Sequence, residues 1–293
     1  MAERIVPDSP LSPALSPASG GEGVAAALAG AAARLAGGSD TARLDAELLM
    51  AHALGVEREA MLLSWLDAAA PAAFEGLVRR RLTHEPVAFI VGWRAFWSIG
   101  LSVGRGVLVP RPDSETLIEA AVDHFGERGP ATILDLGTGP GTLLLASLSQ
   151  WPNAHGLGID SSERALEFAE LNAIDLELEG RARFRVGDWA RGLDGQFDLI
   201  LCNPPYVEQG ADLPREVADW EPDAALYAGP DGLDAYRRLA PEVPRLLAPD
   251  GVACFEIGAG QAEAAGALFE AEGLHVSLRK DLGGRDRCLI LRR

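Results

Sequence analysis

Cysteine is scarce: three residues, Cys202, Cys254 and Cys288, in a chain of 293. They are far apart and odd in number, which excludes a disulfide framework and any paired metal-ligand spacing. Each sits in an apolar run, so core packing is expected of all of them. The five histidines are scattered singly, and no metal site is expected. Basic side chains are also few, 26 Lys and Arg against 43 Asp and Glu, for a formal net charge of −17. That balance argues against a surface built to grip phosphate backbones, although a local basic groove is compatible with it. An acidic chain acting on a basic partner suits it as well. No apolar run approaches a membrane span, and the N-terminus lacks the basic-then-apolar order of a signal peptide. No membrane association is expected, and the cytoplasm is the default compartment.

What is present is ordinary for a soluble globular chain: 48% hydrophobic and 24% charged residues, at a length that holds one large domain and a small one. Residues 1–20 are rich in Pro, Ser and Ala, a composition that cannot bury a core, and a disordered tail is expected there. Residues 21–85 turn to Ala, Leu, Arg and Glu with helical periodicity. Leu44, Leu48, Leu49 and Ala53 mark one apolar face, Asp40 is positioned to cap that helix, and Pro71 to open another. This is a small helical domain, either a cap or a partner-binding module. Residues 86–110 mix β-formers with four glycines and suggest a hairpin linker. In Val109-Pro110-Arg111-Pro112-Asp113-Ser114-Glu115, Asp113 or Ser114 can cap the following helix. Arg111 and Glu115 read equally as a latch or as a substrate contact.

From Ala131 onward strand and helix patterns alternate. Strands are expected at 132–136, 155–159, 182–186, 197–202 and 252–257, with short closing strands at 275–278 and 287–291. Helices are expected at 143–148, 163–172, 233–247 and 261–272. The series predicts a doubly wound, mostly parallel sheet within residues 111–293.

Ligands of such sheets bind beyond the C-terminal strand ends. The first strand runs into Asp135-Leu136-Gly137-Thr138-Gly139-Pro140-Gly141, and position 142 is Thr, where a nicotinamide fingerprint would need glycine. This turn suits S-adenosylmethionine, which has no pyrophosphate to seat on a helix. Asp160 ends the second strand, where a carboxylate can take both ribose hydroxyls. Asp188-Trp189 follows the third, where an adenine can find an acid and an aromatic neighbour. The fourth strand ends in Asn203-Pro204-Pro205-Tyr206. The prolines stiffen this backbone, Asn203 supplies an acceptor oxygen and two donors, and Tyr206 a flat face with a polar tip. The set suits a planar –NH2 group.

The motifs resemble those of the protein-(glutamine-N5) methyltransferases acting on peptide-chain release factors, the PrmC/HemK family. The resemblance runs from Pro86-Val87-Ala88 and Phe96-Trp97-Ser98 through the strand-end motifs above and Glu221-Pro222. It continues over Asp231-Gly232-Leu233-Asp234-Ala235-Tyr236-Arg237 and Glu256-Ile257-Gly258, and closes on residues 280–287, Lys-Asp-Leu-Gly-Gly-Arg-Asp-Arg. Pro140 departs from the small polar residue usual there, and the N-terminal tail is extra. The resemblance implies a seven-stranded methyltransferase sheet with a helical N-terminal domain. It also implies methyl transfer from S-adenosylmethionine to the glutamine of a Gly-Gly-Gln loop, a step in translation termination. Asn203, Pro204 and Tyr206 then carry the chemistry, and Asn203, Pro204, Pro205, Tyr206 and Arg111 meet the substrate. Asp135, Gly137, Thr138, Gly139, Pro140, Gly141, Asp160, Asp188, Trp189 and Asn203 hold the cofactor. Asp135 steers the cofactor's amino group or acts as a base. A monomer that binds no nucleic acid directly is expected. The competing readings are an adenine-N6 nucleic-acid methyltransferase, which would need a basic groove and a flipped-base pocket, a glutamine methyltransferase of a ribosomal protein, and a cofactor-binding regulator without chemistry.

Overall fold

The computed structural model describes residues 23–293, so the expected tail over residues 1–20 lies outside the described residues. The chain divides into two compact units between Val91 and Gly92.

The first unit is helical: α1 (Val24–Leu35), α2 (Ala42–Leu54), α3 (Arg58–Ser64), α4 (Ala73–Leu82) and α5 (Val87–Val91). Val24, Leu28, Leu49, Met50, Met61, Phe74 and Val78 form its core. The α2 face differs from the one expected. Leu44 is exposed, and Asp45, Ala46, Leu49 and Met50 point inward. An ion pair decides this, because Arg81 Nε, on α4, donates to Asp45 Oδ2 at 2.7 Å with both side chains buried. The hydroxyls of Ser39 and Thr41 also donate to Asp45. Asp40 is not the cap: Thr41 holds the N-cap position, and its hydroxyl serves Asp45 rather than the helix N-terminus. Residues 87–91, expected within a hairpin, are helical, with the amides of Phe89 and Ile90 bonded to the Pro86 carbonyl. Proline's fixed φ is preorganised for a helix start.

In the second unit the hairpin is β1 (Trp93–Phe96) and β2 (Ile99–Ser102), joined at Trp97-Ser98 with Trp97 at φ +53°. The Glu115 carboxylate accepts from the Trp97 amide at 2.8 Å, so Glu115 is a latch on this turn. α6 (Glu115–Phe125) follows a 3-10 turn at Pro112–Ser114. Ser114 occupies the N-cap position but makes no capping bond, and Asp113 pairs with Arg287 at 3.2 Å. The alternating series is β3 (Thr132–Leu136), α7 (Thr142–Gln150), β4 (His155–Asp160), α8 (Glu163–Asp175), β5 (Ala182–Val186) and β6 (Phe197–Cys202). Next come α9 (Arg215–Ala218), α10 (Asp234–Leu239), α11 (Val243–Leu246), β7 (Leu247–Glu256), α12 (Ala262–Ala271), β8 (His275–Lys280) and β9 (Asp286–Arg292). The single helix expected over 233–247 is two short ones, since Pro241 offers no N–H to continue the ladder.

The sheet has seven strands in the order β5-β4-β3-β6-β7-β9-β8, parallel from β5 to β7, with β9 antiparallel to both its neighbours. Strands buried on both faces read as continuous apolar runs, and the period of two sorts them. Ile133, Leu199, Leu201 and Cys254 join the layer under α6 and α7. Leu134, Leu136, Ile200, Cys202 and Phe255 join the layer under α10 and α12 with Tyr236 and Phe269. All three cysteines are free and buried, as their apolar settings predict.

Candidate active site

β3 and β6 are neighbours in the sheet, yet the chain visits β4 and β5 between them. Connections therefore leave the two strands in opposite directions, and a crevice opens at their C-terminal ends. A cavity of 470 Å³ lies there, within the range of small-molecule sites. Four of the parallel strands deliver residues to it: Gly137 and Gly139 beyond β3, Asp160 at the end of β4, Asp188 and Trp189 beyond β5, Asn203 and Pro205 beyond β6. Four turns distant in sequence meet because parallel strands end on one edge.

Gly137 has φ +74°, and a Cβ added there would come within 3.2 Å of the Trp189 ring and 3.9 Å of the Asn203 carbonyl. Glycine thus meets both a backbone and a packing requirement. Trp189 is itself at φ +53°, a conformation that costs a tryptophan roughly 1 kcal/mol or more. The strain directs the indole across the glycine turn. Asp160 accepts from the Gly139 amide at 2.8 Å and the Ser162 amide at 2.9 Å, one on each carboxylate oxygen. Each oxygen keeps a second lone pair. Asp188 is bound at 2.6 Å by Arg238, which shares the cavity wall.

The remaining sequence-predicted residues stand behind this surface. Asp135 is fully buried, and its Oδ2 accepts from Thr138 Oγ1 at 2.6 Å and the Leu144 amide at 3.2 Å, while its Oδ1 has no partner. Burial pushes its carboxyl up to about 7, a rise that nearby Asp160 reinforces and the two donors oppose. Pro140 turns its carbonyl to Asn172 Nδ2 at 2.9 Å, and Gly141 is the residue before α7. Arg111 does not line the cavity; it donates to buried Glu221 at 2.6 Å. Pro204 is buried.

Residues given no site role by the sequence, Glu256, Gln261 and Gly232 among them, surround Tyr206. Tyr206 donates to Glu256 Oε1 at 3.1 Å, and burial raises both groups above their ordinary values. Gln261 Nε2 donates to the Tyr206 carbonyl at 3.0 Å, and Gly232 leaves 2.3 Å between a would-be Cβ and that same carbonyl oxygen. Gly106, Val107 and Leu108 line the cavity from the segment after the hairpin. Their sequence offers only turn and β-forming character. The turns, the paired acceptors of Asp160 and the flat indole fit S-adenosylmethionine: Asp160 would hold the ribose hydroxyls, Gly137 and Gly139 would let the backbone approach, and Trp189 would face the adenine side.

Residues 26–92 match the family described as PrmC N-terminal domain, and residues 129–272 the methyltransferase domain. A Rhodospirillum rubrum protein named release factor glutamine methyltransferase is 48% identical over 262 residues, 87% of this chain and 80% of that one. One of the same name from Caulobacter vibrioides is 43% identical over 260 residues, 86% of this chain and 90% of its own length. Among solved structures, the hMettl16 catalytic domain in complex with the MAT2A 3′UTR hairpin 6 superposes with a TM-score of 0.50 at 15% identity. It covers 66% of this chain and 75% of that one, a likeness of fold.

Proposed function

The chain belongs to the release factor glutamine methyltransferase family, and on that premise we propose that it methylates the side-chain amide nitrogen (N5) of the glutamine in a release factor's Gly-Gly-Gln loop. It is an S-adenosylmethionine-dependent methyltransferase. Bound S-adenosylmethionine supplies a methyl group on a positively charged sulfur. The methyl group would pass to the amide nitrogen as the carbon–sulfur electron pair stayed with sulfur, and the amide would release one hydrogen to water as a proton.

An amide nitrogen is a weak nucleophile because its lone pair is delocalised into the carbonyl. The chain's task is therefore to hold the amide plane with the nitrogen facing the methyl group. Asn203 Oδ1 and the Pro204 carbonyl accept its two hydrogens, and Tyr206 packs against the plane. Positive charge growing on nitrogen then meets fixed acceptors, and orientation supplies much of the remaining acceleration. The observation that carries this reading is the placement of Asn203 in the same cavity as Gly137, Asp160 and Trp189. The helical unit adds surface for the protein substrate, since a single loop buries too little area for a specific complex.

The test is label transfer from S-adenosylmethionine with intact release factor, a ribosomal protein and duplex DNA offered in parallel. Label on the release-factor glutamine is expected. Label on DNA adenine, with the release factor unlabelled, would replace the reading with its nucleic-acid rival.

A further inference from the structure

Behind Asn203 lies a chain of hydrogen bonds. Asn203 Nδ2 meets Ser114 Oγ at 3.1 Å, Ser114 Oγ meets Glu256 Oε2 at 2.5 Å, and Glu256 Oε1 meets the Tyr206 hydroxyl at 3.1 Å. Ser114 and Glu256 are both buried, at 2% and 1% exposure, so bulk solvent does not reach either. The two ends of the relay are the two polar side chains of Asn203-Pro204-Pro205-Tyr206, and its middle comes from the turn before α6 and the end of β7. The Glu256 backbone is fixed in turn by the Tyr236 hydroxyl, which donates to its carbonyl at 2.8 Å.

Donor accounting gives the relay a direction. Against its burial, the Ser114 hydrogen bond and Arg287 favour the ionised form of Glu256. That carboxylate only accepts, so the single Ser114 proton goes to Glu256 and the serine oxygen is left with lone pairs alone. Asn203 can satisfy that oxygen only with its –NH2 end. Its Oδ1 must then face the other way, and it takes no hydrogen bond from the described residues. A carboxamide is nearly symmetrical in shape, and without the relay a half-turn about its last bond would present two donors where the reaction requires an acceptor.

We propose that Ser114 and Glu256 are positioning residues that fix the Asn203 carboxamide with its oxygen toward the substrate amide and Tyr206 against it. The proposal rests on the role given above to Asn203. Ser114 acts through Asn203, so the two should not contribute independently.

The experiment is a double-mutant cycle on the full chain with intact release factor, reading kcat, KM and S-adenosylmethionine affinity by calorimetry. Ser114→Ala should lower kcat about tenfold, the worth of one well-placed hydrogen bond. Cofactor Kd should stay unchanged. In an Asn203→Ala background the same substitution should change kcat less than about twofold. An impaired Asn203→Ala beside a Ser114→Ala of undiminished kcat would overturn the relay while leaving the amide site standing, and so would fully additive losses. Undiminished turnover in Asn203→Ala would instead remove the reading of the site, and the relay with it. A second measurement needs no variant: in wild-type protein with labelled asparagine, the Asn203 Nδ2 protons should show through-space contacts to the Ser114 β-protons. Their absence would overturn the proposal even if Ser114→Ala failed to fold.

Discussion

Asp135 offers a test of how the site floor is built. Its carboxyl is fully buried, with one oxygen bonded to Thr138 and Leu144 and the other without a partner. Burial moves it from 3.8 to about 7. The folded chain thus holds this proton more tightly than the unfolded one. As pH rises from about 4 the unfolded state loses the proton first, and stability falls until the folded group also ionises near 7. A rise of about 3 units at 1.36 kcal/mol each puts the total loss at no more than about 4 kcal/mol. In Asp135→Asn the amide oxygen can keep both bonds while the group never ionises. Denaturant unfolding of the cofactor-free protein, wild type against variant, should therefore show a difference that grows across pH 4 to 7 in the variant's favour and is flat above. Subtracting the two cancels the carboxyls that do not interact with Asp135, including Glu221 and Glu256, which burial also raises, and leaves the Asp160 interaction as a minor part of the difference. A difference that does not vary with pH would refute the reasoning, because Asp135 would then ionise alike in both states.

Three further outcomes are expected. Asp160→Ala should weaken S-adenosylmethionine binding in calorimetry, since it removes the carboxylate that takes two backbone amides at the cavity wall; equal affinity would withdraw the ribose assignment. Asn203→Ala should bind cofactor normally and lose turnover by roughly 100-fold or more, by analogy with removal of one oxyanion-hole donor; lost binding with intact kcat at saturating cofactor would reverse these roles. A chain beginning at Gly92 should bind cofactor as the whole protein does but show a raised KM for intact release factor, and an unchanged KM would make the helical unit a cap.

The sequence by itself determined the sheet and the residues of its ligand edge. Thr132–Leu136, Ala182–Val186 and Phe197–Cys202 form strands over the residues expected of them, because the first and last are short, largely apolar runs and Ala182–Val186 alternates apolar residues with Arg183 and Arg185. Such runs need no knowledge of their neighbours. The turns after them carry glycine, proline and acid for local backbone reasons, so Gly137, Asp160, Trp189 and Asn203 were legible one strand at a time. Sequence could not decide which way a side chain faces once a distant partner competes for it. Leu44 reads as core and is exposed because buried Asp45, paired with Arg81, takes that face of α2. Arg111 reads equally as a latch or a substrate contact, and the partner it finds is Glu221, 110 residues away. Ser114 reads as a helix cap, and its hydroxyl serves Glu256 across a separation of 142 residues. Local chemistry names the groups, but hydrogen bonds are satisfied wherever the fold brings a partner within about 3 Å, and only tertiary structure sets those partners.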